Sequence, residues 1–234
     1  MDCPYTVVLQ LWEVTELPLI DPEEFIALVQ PLLEKQDAQG LLQALRSRYK
    51  HEQIKAILTG RHHDAKKVAA LALSLVGGKC CVDELAKQLV DEDPVVNQMA
   101  EHALWTIWFR CGTNEANHEL CRGTKALNRR ELDRAIEHFS RAIELDPSFA
   151  EAYNQRAIAK FLAERYEACI EDCHQAVQRM PCHFGAWAGM GHCHAHVGRL
   201  EEALSSYERA LAINPHLDGV RQAVNELRGE PRAD

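Results

Sequence analysis

The sequence predicts an all-α solenoid of antiparallel helix pairs, and three observations point there. The C-terminal half repeats every 34 residues, the N-terminal half repeats every 31, and apolar side chains recur at helical steps through both. Of 234 residues 47% are apolar and 26% charged, which is enough for a packed core. No apolar run approaches the ~20 residues that a membrane-spanning helix needs.

The 34-residue period is the clearer one. Pro147, Pro181 and Pro215 stand 34 residues apart, closing the stretches RAIELDP, QAVQRMP and RALAINP. In that register Ala116, Ala150 and Phe184 open the units. Small residues coincide at Gly123/Ala157/Gly191, Ala135/Cys169/Ala203 and Ala142/Ala176/Ala210. Bulky ones coincide at Leu132/Tyr166/Leu200, Ile136/Ile170/Leu204 and Ile143/Val177/Leu211. Small residues belong where two helix axes approach closely, and large apolar ones fill the space beside them. Proline closes each unit because it cannot continue a helix.

This pattern resembles the tetratricopeptide repeat (TPR) family over residues 116–228. The third unit carries Trp187, Gly191, Gly198, Leu200, Ala203, Tyr207, Ala210 and Pro215. The second has Tyr153, Ala157, Tyr166, Ala176 and Pro181, with Cys169 and Cys173 replacing the usual alanine and aromatic. The first has Gly123, Ala135, Phe139, Ala142 and Pro147, with Glu119 in place of an aromatic. The resemblance implies three TPR units (116–149, 150–183, 184–217), followed by a capping helix and tail over 218–234.

In the N-terminal half Ala38/Ala69/Ala100, Leu42/Leu73/Leu104 and Leu45/Val76/Ile107 align at the 31-residue period. Ile54/Leu85 and Leu58/Leu89 align on a second helix. Residues 91–108 offer an acidic cap, then Pro94 at a first helical turn. Residues 62–78 repeat the theme and end in a glycine pair suited to a C-terminal cap. Residues 22–111 thus resemble HEAT-like repeats, nearer the thirty-residue variety of bilin-lyase-type proteins. A helix is expected over 22–30, capped by Asp21. Residues 1–21 form an N-terminal arm: TVVLQLWEV alternates like a strand but has nothing to pair with. The short junction CGTNE (111–115) predicts halves stacked in series as one arch.

Charge narrows the partners. The net charge is −9, and the deficit extends over both halves. Neither half offers the basic stripe that phosphate neutralisation needs, so nucleic acid and anionic membranes are excluded as expected partners. The segment Met1–Ile20 has no basic residue and contains Glu13 and Glu16, unlike a signal peptide. A cytoplasmic location is therefore expected, with the nine cysteines reduced and mostly buried.

No catalytic motif appears: no Gly-rich phosphate loop, Gly-x-Ser-x-Gly elbow, His-Glu-x-x-His pair or Cys-x-x-Cys. The chain reads as a non-enzyme without cofactor. His192 and His196 lie four apart on a helix, a spacing that zinc sites use, but two ligands do not complete a site that wants four. Cys169, Cys173 and His174 also invite a metal or redox reading, against which burial of the two cysteines in the repeat explains them better. The adjacent Cys80 and Cys81 are expected to face different sides of their turn, and His62 and His63 to be solvated.

In the TPR family the first helices of successive units line a concave surface. The resemblance carries that groove onto Asn117, Leu120, Thr124, Leu127 and Asn128 in the first unit. The second supplies Glu151, Asn154, Ile158, Phe161 and Leu162, and the third Gly185, Ala188, His192, Ala195 and His196. Of these Leu120, Leu127, Ile158, Phe161 and Leu162 make an apolar stripe, a surface that usually marks binding. TPR co-chaperones grip an acidic chaperone tail with Lys, Asn and Arg. The corresponding positions here are Leu120, Thr124, Gln155, Gly185 and Gly189, with no basic residue among them. The expected partner is therefore a protein or peptide segment with apolar anchors, and the expected role an adaptor or scaffold. Two alternatives stay open: a self-assembling structural protein whose grooves are filled by other copies, and a HEAT-like lyase or cofactor handler.

Overall fold

Thirteen α-helices organise residues 19–229, the part of the chain described by this computed structural model, and no strand occurs among the described residues. The strand-like pattern of the N-terminal arm and the end of the tail lie outside the described residues. None of the described helices is long and apolar enough to cross a membrane.

The N-terminal half comprises α1 (Pro22–Glu34), α2 (Ala38–Arg48), α3 (His51–Leu58), α4 (His63–Val76), α5 (Val82–Lys87) and α6 (Pro94–Trp108). A 3-10 turn, Lys79–Cys81, precedes α5. The caps are the ones the sequence offers. Asp21 accepts from the backbone N–H of Glu23 and Glu24 at 2.9 and 3.0 Å, and Asp93 accepts from Val95 at 2.9 Å. Helix α1 continues to Glu34, past the expected end at residue 30, with Pro31 in its last turn. His62 is not simply solvated: its Nδ1 accepts from Ala65 N–H to cap α4, and its Nε2 meets Glu23 at 2.8 Å.

The glycine pair after α4 works differently from a left-handed cap. Gly77 has φ −65°, and its need for glycine is steric, since a Cβ there would stand 2.5 Å from the Leu73 carbonyl oxygen. The cap comes from Arg110, just past the end of α6. Its guanidinium donates to the carbonyls of Ser74, Leu73 (3.2 Å) and Gly77 (2.7 Å). Three carbonyls at one helix end are thereby gathered by one planar donor, the Leu73 oxygen also accepting from Gly77 N–H.

The C-terminal half comprises α7 (Asn114–Asn128), α8 (Leu132–Leu145), α9 (Ala150–Leu162), α10 (Tyr166–Arg179), α11 (Phe184–His196) and α12 (Leu200–Ile213), closed by α13 (Asp218–Arg228). The small positions do what the register requires. A Cβ on Gly123 would lie 2.4 Å from the Phe139 ring, and one on Gly191 would lie 2.5 Å from Tyr207. In these two units an aromatic of the second helix thus closes against the glycine of the first.

The two halves do not stack in series. Helix α6 folds back along the edge of the repeat array, touching the start of each later unit in turn. Trp108 stacks on His183 with ring centroids 4.1 Å apart, and Trp105 meets Phe184 edge-on at 5.4 Å. Further back along α6, Glu101 accepts from Asn214 at 3.1 Å and Asn97 pairs with His216 at 2.9 Å. The largest apolar cluster accordingly runs from Phe25 and Leu45 through Trp108 to Ala150, Met180 and Phe184. The junction is tight enough to force this return, because the Asn117 amide bridges the carbonyls of Arg110 and Gly112 and accepts from Gly112 N–H.

The cysteines correct a second expectation. Cys169 on α10 and Cys193 on α11 form a disulfide with Cα atoms 6.6 Å apart, so not every thiol is reduced. Both sit at buried positions on facing helices, as the repeat register places them.

Candidate peptide groove

Helix α9 sets the site. Asn154, Ala157, Ile158, Phe161 and Leu162 recur at three- and four-residue steps, so one face of the helix carries them all. Opposite stand Gly189 and His192 of α11, and beneath lie Cys169 and Cys173 of α10. These nine residues enclose a cavity of about 140 Å3. Ile158 and Leu162 form its lips, 38% and 39% exposed. Gly189 keeps it open: a Cβ there would extend into the space to ordinary contact, 3.5 Å from Cys173 Sγ.

The aromatic side is held in place by ring packing. Phe161 meets the edges of Tyr166 and His196 at 5.6 and 5.1 Å, and His196 stacks on Tyr166 at 4.7 Å. The Tyr207 hydroxyl and His192 Nδ1 are hydrogen-bonded at 2.7 Å, with donor and acceptor set by the ring's tautomer. Burial, with a smaller push from His196, holds the His192 pKa below its ordinary value. Burial also pushes the Tyr207 hydroxyl and the Cys173 thiol each up to about 12. The lining is thus uncharged near neutrality and the free thiol in its floor is inert. Both histidines considered as metal ligands are engaged in packing and hydrogen bonding.

Of the residues expected from sequence, Asn154, Ile158, Phe161, Leu162 and His192 come together here. His196 supports Phe161 from the side. The first unit contributes differently from the expectation. Leu120 is 1% exposed, packed with Ala116 and Phe139, and offers no surface. The Thr124 hydroxyl turns back to the Leu120 carbonyl at 3.0 Å, Leu127 rests half-buried on the same cluster, and Asn128 is exposed at the end of α7. Ala157, Cys169, Cys173 and Gly189 were not among the expected groove residues. Their absence of bulk makes the space, and a search for binding side chains passes over small residues.

The positions of a carboxylate clamp are occupied by structure. Gln155 donates to Glu151 at 2.7 Å, and Gly185 lies under Trp105, whose ring a Cβ would approach to 2.6 Å. Glu151 itself pairs with His183 at 2.7 Å, both side chains fully buried. A larger, polar cavity of about 270 Å3 lies between Arg122, Lys125, Arg129 and Arg134, with Glu131 and His138. There Arg122 and His138 pair with Glu119, and Arg134 pairs with Glu131.

Two stretches match models of one family: residues 185–217 the tetratricopeptide repeat and residues 129–162 the TPR repeat. The C-terminal half therefore carries TPR repeats. A TPR repeat-containing protein of Rhizobium etli is 29% identical over 147 residues, 62% of this chain and 72% of that protein. The Hsp70-Hsp90 organizing protein of Triticum aestivum is 26% identical over 113 residues, 48% of this chain but only 19% of that protein. Among solved structures, the second TPR domain of human RPAP3, in complex with the HSP70 peptide SGPTIEEVD, superposes with a TM-score of 0.48 at 27% identity. It covers 49% of this chain and 95% of that one.

Proposed function

We propose that this chain is a non-enzymatic adaptor that captures a polypeptide segment by seating one bulky apolar side chain between α9 and α11. The observation that carries the reading is the cavity at Ile158, Phe161 and Leu162: preformed, apolar, open at its lips, and sized for a single side chain. A cavity of about 150 Å3 lined by apolar groups is known to accept benzene, so 140 Å3 suits a phenylalanine or leucine. Burying one such side chain contributes about 1.5–3 kcal/mol. Micromolar affinity corresponds to about 8 kcal/mol, so the rest must come from flanking contacts with Leu127, Asn128 and His196. TPR repeats are interaction modules, which supports a protein or peptide partner in general terms.

An acidic chaperone tail suits the groove poorly. Such a tail needs cations at positions held here by Leu120, Thr124, Gln155, Gly185 and Gly189, and in the polar cavity Arg122, Arg134 and His138 already have carboxylate partners. We further read the N-terminal half as HEAT-like on its 31-residue register, with α2–α3 and α4–α5 as successive units. Its role in this reading is to brace the array.

Peptides selected from a random display library on the full chain test the proposal. The expected winners share one aromatic or leucine anchor and lose binding to Phe161→Asp and to the surface variant Ile158→Glu, while helix content stays unchanged. Selection of acidic-tailed peptides, or binding indifferent to both substitutions, would remove the groove from consideration.

A further inference from the structure

A second cluster, outside the groove and in the other half of the chain, brings together three soft ligand atoms. The 3-10 turn Lys79–Cys81 presents both of its sulfurs to the first residue of α3. Cys80 Sγ stands 3.7 Å from Cys81 Sγ and 3.8 Å from His51 Nδ1, and all three atoms lie within 4.8 Å of one another. The adjacent cysteines differ in exposure, yet their sulfurs approach each other rather than diverging.

Those separations are the edges of a coordination polyhedron. Two sulfurs each about 2.3 Å from a tetrahedral zinc stand about 3.8 Å apart, and a sulfur and an imidazole nitrogen about 3.6 Å apart. No displacement beyond a few tenths of an ångström is needed along the measured edges. The turn is also anchored to the helix that carries the histidine. Lys55, one turn along α3, donates to the Cys80 carbonyl at 3.2 Å, and Cys81 N–H donates to Gly78 at 2.9 Å. Cys81 is fully buried while Cys80 is exposed, so one sulfur is fixed by packing and the other faces the route by which an ion arrives. Both thiols are free, and this is the group of three or more metal-competent ligands found among the described residues.

We propose that His51, Cys80 and Cys81 bind one zinc ion through two thiolates and an imidazole, with a fourth position open to solvent. Zinc displaces the two thiol protons, which pass to the buffer, and no redox partner is required. Bound there, the ion clips α3 to the turn before α5 across 29 residues of chain. The consequence is a stiffer N-terminal half, reached without any change in the groove.

The test uses the full chain, stripped with a chelator and handled without oxygen, so that Cys80 and Cys81 stay free while the Cys169–Cys193 disulfide stays closed. Zinc is titrated against a chromophoric competitor, and Co2+ is used as a spectroscopic stand-in. The proposal expects one zinc per chain, a rise in melting temperature on adding it, and sulfur-to-cobalt charge-transfer absorption. In Cys80→Ser and in His51→Asn the affinity should fall at least about tenfold and the thermal shift should vanish. Cys121→Ser, which removes an exposed thiol on α7, should behave like the parent. Retention of zinc by both site variants, or no zinc bound by the parent, overturns the site. Binding of Cu+ with none of Zn2+ overturns the choice of metal.

Discussion

His183 uses both ring nitrogens with no solvent contact. Its Nδ1 accepts from Ala186 N–H at 3.1 Å, which leaves Nε2 to donate to Glu151, whose other partners are the amides of Asn154 and Gln155. The tautomer is therefore set by the helix cap. Removing one member strands the others, and breaking a buried pair this way costs about 3–5 kcal/mol. His183→Ala should lower the unfolding free energy by that order in a urea titration, whereas an exposed pair such as Arg199–Glu167 should yield less than about 1 kcal/mol on the same assay. A second residue-scale prediction concerns pH. The folded chain holds fewer protons on His192 than the unfolded chain does, because its pKa lies below the ordinary 6.5. The stability of the neutral ring is fully present above about 6.5 and is lost as pH falls through the folded value. Replacing His192 with Asn should flatten that part of the acid limb between pH 7 and 5, read as the difference between the two chains' stabilities.

At the scale of elements, three turns carry one geometry. Arg130, Glu164 and Gly198 each join the two helices of a unit, each has positive φ (63°, 58° and 79°), and they stand 34 residues apart. A left-handed conformation costs a side-chain-bearing residue about 1–2 kcal/mol, which glycine avoids. Gly198→Ala should therefore lower the melting temperature by several degrees, and Glu164→Gly should leave it unchanged or raise it, by calorimetry. These elements were legible because the signals are local. Proline spacing, the Gly123 and Gly191 contacts and the Asp21 and Asp93 caps all act within one unit, and each appears in the structure where the register puts it. The groove was legible in part for the same reason: Ile158, Phe161 and Leu162 share one face of one helix. Leu120 misled because it turns into the core of its own unit against Ala116 and Phe139, and an apolar residue on the inner helix fits groove and core equally well.

In the whole molecule the decisive contacts join residues far apart in sequence. Arg110 capping α4, Asn97 reaching His216 and Cys80 meeting His51 leave no periodic trace, which is why a serial arch was expected and a folded-back one is found. Helix α6 is the brace, with Trp105 wedged over Gly185 and against Phe184. Trp105→Ala should cost about 3–5 kcal/mol and split a single thermal transition into two, one for each half, in calorimetry. Fluorescence of the remaining tryptophans would follow which half melts first.

Most helical repeat arrays are indifferent to their own length, since a unit meets only the units on either side of it. Helix α6 removes that indifference. Successive turns of its fifteen residues, about 22 Å in all, match the openings of α9, α11 and α13 in order. Inserting or deleting one unit would set Glu101 and Asn97 opposite the wrong loops. The chain thus contains a ruler for the units that α6 touches.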